Sequence, residues 1–317
     1  MLAYDPEWFS IAGPFLGRLK HNFAIHDVAS RRDQAQEFVK SVKTPLREDV
    51  EVRIHHTTGS DGHSIAIYQV KKRAEPEPQE SAQRTAAALH IHGGGYYSVR
   101  ARDIVPSIAD FVASGAPPLF SVEYRLAPEN PYPSPLEDCW TALQWLHSHA
   151  AELNVDPERI AIFGESAGGG LGAALAILAR DRKLSPPLAK QVLIYPMLDD
   201  RTAKDHTDGK TTFSADDNAT GWGAYLGKQF GTDSVSPYAA PARVTDVTGL
   251  PRLYLDVGQL DLYVQEDTEY VSKFVRANVP VEFHLYDGVP HFFQRLAPGS
   301  SVARRAFENR LEALQTI

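Results

Sequence analysis

An α/β fold with a mostly parallel central sheet and helices on both faces is what this 317-residue sequence predicts, on three observations. From residue 86 onward, short apolar runs alternate with helical patterns, the signature of βαβ units. One run, Ile160 to Phe163, passes through Gly164-Glu165-Ser166-Ala167-Gly168 into a small apolar helical pattern, Gly169 to Leu178. Another, Ala86 to Ile91, runs straight into His92 and the three glycines Gly93, Gly94 and Gly95.

The elements follow in order. Residues 1–45 read as helical, with apolar clusters at Trp8-Phe9, Phe15-Leu16, Phe23 and Ile25, too aromatic for a disordered tail. Asp33 to Val42 forms a polar helix with Phe38 and Val39 on one side. Val50–Ile54 and Ser64–Val70 alternate with period two around the turn Thr58 to Gly62, which predicts an antiparallel pair. Lys71 to Arg84 is a charged, proline-containing loop, expected to be mobile and without function. Asp103 to Ser114 is an amphipathic helix and Pro118 to Tyr124 a strand. Pro131, Pro133 and Pro135 fix an extended path into the helix Leu136 to His149. Lys190 to Tyr195 is the strand after the serine segment.

From Leu198 to Ala240 the pattern loosens. Asp199, Asp200, Asp205, Asp208, Asp216 and Asp217 are interspersed there with Phe213, Trp222 and Tyr225. No metal-ligand spacing recurs among these carboxylates, so a solvated loop is expected and no metal site. Leu253–Val257 and Val281–Tyr286 are the last strands, separated by the helix Glu266–Ala277, and Phe307–Leu314 is a closing amphipathic helix.

Composition narrows the function classes. The chain is 43% hydrophobic and 23% charged, ordinary for a globular protein. A net charge of −8 argues against nucleic acid as a partner. No apolar run approaches a membrane span, and Met1 to Trp8 lacks the basic and apolar regions of a secretory signal. The single cysteine, Cys139, excludes an intrachain disulfide and reads as a buried small hydrophobe. A cytoplasmic protein is expected.

Two stretches carry chemistry. Strand, sharp turn and helix around Ser166 hold a serine hydroxyl clear of the sheet, and the flanking glycines let the backbones approach. A glycine-rich turn with a capping serine is the bland alternative. A strand running into three glycines exposes N–H groups with no side chains over them, the geometry an oxyanion needs.

His92-Gly-Gly-Gly95, Tyr124-Arg-Leu-Ala-Pro-Glu129, Leu136-Glu-Asp-Cys139 and Gly164-Glu-Ser-Ala-Gly-Gly169 occur in this order. With these four motifs the chain resembles the hormone-sensitive-lipase-like branch of the α/β-hydrolases, from about residue 50 to the end. The family commonly has Asp where Glu165 stands. The resemblance implies the α/β-hydrolase fold with a helical cap, and divides the chain into cap residues 1–45, core 46–197, cap 198–240 and core 241–317. It also implies a serine carboxylic-ester hydrolase acting on short- to medium-chain acyl esters, without cofactor.

The site residues follow. Chain order gives nucleophile Ser166, acid Asp261 and base His291. Asp256 and Asp287 compete for the acid, but the family pattern Val-Gly-x-x-Asp falls on Val257-Gly258-Gln-Leu-Asp261. The family's Pro and Arg after that Asp are Leu262 and Val264 here, which leaves the anchoring of Asp261 open. His291 is preferred to His284, which lies within a strand. The N–H groups of Gly94, Gly95 and Ala167 are the expected oxyanion donors, with His92 and Gly93 supporting the loop. Phe213, Trp222 and Tyr225 are expected to face the acyl pocket, with core packing as the competing reading. Tyr96 and Phe292 are further substrate-binding candidates, and the two cap segments are expected to form one lid. The expected partner is a small-molecule ester, and a homodimer is left open. A lactone, carbamate or aryl formamide would suit the same machinery. A non-catalytic ligand receptor on this fold is the rival of another class, disfavoured because Pro290-His291-Phe292 keeps the histidine.

Overall fold

The structure is a computed structural model and describes residues 2–19, 23–42, 45–73 and 84–317. Helices α1 (Pro6–Leu19) and α2 (Val28–Ser41) precede strands β1 (Val50–Thr58), β2 (Ser64–Lys72) and β3 (Thr85–Ile91). Then come α3 (Ala101–Ala113), β4 (Leu119–Val122), α4 (Ser134–Ser148), β5 (Val155–Glu165), α5 (Ala167–Asp181) and β6 (Lys190–Ile194). Helix α6 (Ala215–Leu226) is followed by β7 (Arg252–Gly258), α7 (Val264–Arg276), β8 (Val281–Tyr286), α8 (Phe293–Leu296) and α9 (Ser301–Gln315). Most of the charged loop expected at 71–84 lies outside the described residues. Among the described residues no helix is long and apolar enough to cross a membrane.

The eight strands form one sheet in the order β1-β2-β4-β3-β5-β6-β7-β8. The β1–β2 and β2–β4 pairs are antiparallel and the rest are parallel. Strand periodicity sorts the core onto two faces. Ala87, Leu89, Ile91, Ile160 and Ile162 pack with α4 and α5, while Ala88, Ala161 and Phe163 pack with α3, α7 and α9. Because β3 to β8 run parallel, their C-terminal ends open on the same edge, and β3, β5, β7 and β8 each lead there into a loop carrying site residues.

Among the elements that differ from their sequence boundaries, three do so for a clear local reason. β5 starts at Val155, five residues before its apolar run, because Thr85 pairs with Val155 and the ladder then shifts register before Ala87 meets Ile160. The polar Asp156 to Arg159 rides on that irregularity. α9 starts at Ser301, since the Ser300 side chain accepts from the Ala303 N–H and caps a turn whose apolar pattern is weak. In the loosened region, α6 begins with a reciprocal capping box between Ser214 and Asp217, although Gly221 and Gly223 blur its periodicity.

The acidic residues of that region are not simply solvated. Asp200 is buried and accepts from Arg243 through both oxygens, at 2.7 and 3.0 Å. Asp205 holds a turn through Thr207 and Gly209. Among the described residues no group of three or more histidine, cysteine or acidic side chains is arranged to hold a metal ion.

α9 is tied to the sheet by two buried cations. Lys190 donates to Ala313 O at 2.7 Å and Thr316 Oγ1 at 2.8 Å. Arg310 makes two 2.7 Å bonds to Asp256 at the end of β7. Removing one partner of such a pair leaves an uncompensated charge in the core. Asp256→Asn is therefore expected to cost about 3–5 kcal/mol of unfolding free energy, measured by urea titration. A loss below about 1 kcal/mol would mean that the pair does not secure α9.

Candidate active site

The turn after β5 sets everything else. Ser166 adopts φ 54°, ψ −121°, a conformation L residues rarely take. Its N–H donates to Ile194 O at 2.9 Å, and its carbonyl accepts from Met197 N at 3.0 Å and Gly170 N at 2.9 Å, so the strain is held from three sides. Glycine is obligatory on either side. A Cβ on Gly164 would sit 2.4 Å from Gly168 O, and one on Gly168 would sit 2.1 Å from Ile91 O. The serine lies in a recess, 1% exposed, rather than standing free on the surface.

The loop after β8 brings His291 to this turn. His291 Nε2 lies 2.9 Å from Ser166 Oγ, and Nδ1 lies 2.6 Å from Asp261 Oδ2. All three side chains are buried. The carboxylate's other oxygen accepts from the Tyr263 N–H at 3.1 Å, a local anchor that stands in for the missing Pro and Arg. The loops carrying Asp261 and His291 are stitched together. Leu260 N donates to Val289 O at 3.0 Å, and a Cβ on Gly258 would lie 2.2 Å from that same oxygen. Tyr195, Tyr263 and Phe292 present edges to the imidazole, with ring centroids at 4.5, 5.3 and 4.2 Å.

The competing groups are engaged elsewhere. Asp256 belongs to Arg310, Asp287 is exposed, and His284 faces Glu282 at 2.8 Å. His92 places Nδ1 2.8 Å from Gly93 O and stacks on Tyr124, whose hydroxyl donates to His92 O at 2.8 Å. Burial pushes its pKa down to about 3, so it stays neutral.

Gly94 (φ 120°) and Gly95 (φ 59°) turn the chain above the serine, and Gly94 O is pinned by the N–H groups of Tyr97 and Ser98. Among the described residues the Gly94 and Gly95 N–H groups have no protein acceptor. Ala167 begins α5, where the first N–H groups of a helix lack an intrahelical partner.

A cavity of about 140 Å³ opens at Ser166. Gly93, Gly94, Ile104, Phe213, Phe292 and Leu296 line it, and one face of α2, with Arg31, Phe38 and Val39, closes it. Neighbouring arginines hold α2 in place. Arg31 pairs with Asp217 of α6 at 2.8 Å. Arg32 donates to Tyr97 O and Ala127 O and makes two 2.6 Å bonds to Glu129. α1 has another position. Trp8 is fully buried and donates from Nε1 to Phe293 O at 2.8 Å, and Asp5 N donates to Gly288 O. Of the two segments expected to form one lid, the N-terminal one therefore divides: α2 lies over the cavity beside Thr212 and Phe213 of the other segment, while α1 packs against the histidine loop.

The aromatic candidates divide too. Phe213 and Phe292 line the cavity. Tyr96, Trp222 and Tyr225 do not. They are fully buried behind the glycine loop, with Tyr96 and Tyr225 stacked at 4.2 Å and Trp222 5.2 Å from Tyr96. Pattern alone cannot separate a pocket wall from a core when both are aromatic. Sequence reasoning also missed Arg31 and Arg295 on the cavity wall, because their acidic partners lie 186 and 130 residues away.

Comparison with known proteins places this geometry. The model of a family described as having the α/β-hydrolase fold matches residues 88–295. The carboxylesterase NlhH of Mycobacterium tuberculosis is 31% identical over 314 residues, 95% of each chain. The chain belongs to the hormone-sensitive-lipase-like α/β-hydrolases. Mouse hormone-sensitive lipase itself is 27% identical over 56% of this chain and 22% of its own length. Among solved structures, a bacterial heroin esterase superposes on this hydrolase with a TM-score of 0.88 and 33% identity, covering 99% of this chain and 98% of that one. An esterase from the hyperthermophilic archaeon Pyrobaculum calidifontis superposes with a TM-score of 0.82 and 26% identity, covering 99% of each chain.

The aromatic cluster gives a direct check on core against pocket. Trp222→Ala is expected to lower unfolding free energy by about 3–5 kcal/mol in chemical denaturation. A cost below about 1 kcal/mol would put the indole at a yielding surface instead.

Proposed function

We propose that this hydrolase is a serine carboxylesterase that cleaves short-chain acyl esters through an acyl-enzyme. The observation that carries the reading is the buried line from Ser166 Oγ through the His291 imidazole to Asp261, opening on the cavity. The esterases among its relatives support the reaction class.

A serine hydroxyl is a weak nucleophile until a base takes its proton. Here His291 Nε2 accepts that proton as Oγ attacks the ester carbonyl carbon. Asp261 fixes the tautomer with the proton on Nδ1 and stabilises the imidazolium that forms. Negative charge develops on the carbonyl oxygen, toward the N–H groups of Gly94, Gly95 and Ala167. Each donor so placed lowers the barrier by about 3 kcal/mol. The imidazolium returns its proton to the departing alkoxide, and the alcohol leaves. Water, deprotonated by the same imidazole, then attacks the acyl-enzyme carbonyl; the bond to Oγ breaks, the imidazolium returns its proton to Ser166 Oγ, and the carboxylic acid leaves. The neutral, buried His92 supports the glycine loop and takes no part in proton transfer.

We read α2 and the 198–240 segment as a cap over the core, with Phe213 and Phe292 as the walls of the acyl site. A cavity of about 140 Å³ matches the size of an apolar cavity that holds benzene. Acyl groups of about two to six carbons fit that space beneath α2.

Ser166→Ala is expected to remove turnover and fluorophosphonate labelling while the circular dichroism spectrum is kept. Asp261→Asn is expected to lower kcat by about 10⁴, whereas Asp287→Asn leaves it near wild type. With p-nitrophenyl esters of increasing length, kcat/KM is expected to peak at about two to six acyl carbons and fall beyond. Labelling at a residue other than Ser166 would overturn the mechanism, and a maximum at long chains would overturn the pocket assignment.

A further inference from the structure

Glu165 immediately precedes Ser166, yet its side chain has no part in the chemistry above. It enters a partly buried network that joins several elements. Oε2 accepts from Arg295 Nη2 at 2.8 Å and from the Tyr195 hydroxyl at 3.3 Å, and Oε1 lies 3.9 Å from His90 Nε2. Arg295 sits in α8, four residues after His291, and its Nη1 reaches Ser107 Oγ of α3 at 3.1 Å. Gln294 donates to the Tyr195 hydroxyl, while the Tyr195 ring stands edge-on to His291. Burial opposes the charge on Glu165, but Arg295 and His90 outweigh it and hold the carboxyl below the usual range.

The pair spans the gap the reaction must control. Glu165 is covalently next to the serine. Arg295 is joined to the histidine loop by short backbone hydrogen bonds, including its own N–H to Phe292 O at 2.8 Å. Nucleophile turn and histidine loop come from chain segments 125 residues apart, and this ion pair bridges them directly. An aspartate at 165 would be shorter by one carbon–carbon bond, about 1.5 Å, and could not make the same contact unless Arg295 or the backbone moved.

We propose that the Glu165–Arg295 ion pair is a positioning strut that sets the distance between Ser166 and His291, with Tyr195 as its crosspiece. This rests on the proposed roles of Ser166 and His291. Glu165 and Arg295 act through those two residues and are positioning residues. Displacing reacting groups by about 1 Å costs up to about 100-fold in rate. The strut accounts for a glutamate at 165: its length brings the carboxylate to Arg295 from the nucleophile turn in the present geometry.

The test compares Glu165→Asp, which keeps the charge but shortens the reach, with Glu165→Gln/Arg295→Met, which removes both charges without leaving either unpaired. Kinetics with a p-nitrophenyl ester, the rate of fluorophosphonate labelling and the melting temperature are measured on each. The strut predicts that Glu165→Asp loses about 10- to 100-fold in kcat and labelling rate, with KM changed by less than about twofold. It predicts the same kinetic loss in the double variant, with a melting temperature within about 5 °C of wild type. Wild-type kcat in the folded double variant would overturn the proposal, since the pair would then serve stability alone. A raised KM with unchanged kcat in Glu165→Asp would also overturn it, by making the pair a substrate contact. Should the double variant not fold, Glu165→Asp decides alone. Mapping the label to Ser166 in the wild type tests the underlying mechanism separately.

Discussion

Close backbone contact at the Ser166 turn is the constraint from which the rest of the site follows. Strand β5 and helix α5 meet with no room for a Cβ at Gly164 or Gly168, and Gly168 also lies against the carbonyl of Ile91. One contact therefore fixes three things: the angle between strand and helix, the strained serine between them, and the start of the glycine loop after β3. The imidazole must come to that point, because the point itself cannot move. Its loop is brought there by backbone bonds to the β7 turn, by the Trp8 anchor and by α8.

The sequence made the sheet legible because parallel strands buried on both faces are nearly continuous apolar runs, and such runs bounded by glycine and proline are hard to mistake. The residues proposed for the chemistry were legible for a related reason. Ser166, Asp261 and His291 each lie in a loop just past a strand, and local glycine and proline patterns mark those loops. Boundaries were lost where pairing or capping overrides composition. Thr85 draws the polar 155–159 segment into β5, and Ser300 starts α9 before its apolar face begins.

The cavity walls were less legible. Trp222 and Phe213 sit nine residues apart in an acidic stretch and look alike in composition, yet one is core and the other faces the cavity. What separates them is the path of the chain between Asp205 and Ser214, which is set by side-chain-to-backbone bonds rather than by periodicity. Likewise, Arg31 and Arg32 are two ordinary cations in a polar helix. Their partners, Asp217, Tyr97, Ala127 and Glu129, come from segments that only the folded chain brings together.

The order in which the site is assembled has a consequence for synthesis. The serine turn and glycine loop have all their supporting bonds only once Ile194 and Met197 are in place, whereas the histidine loop depends on Arg295, and the end of β7 on Arg310 in α9. A chain still emerging from the ribosome can therefore contain every segment of the serine turn with no base to set beside it. Domains generally fold as units, and here the unit closes only when its last helix is available. Until then the exposed edge of β7 and the unfilled space beside Glu165 are the surfaces that a chaperone, or a neighbouring unfinished chain, would meet first.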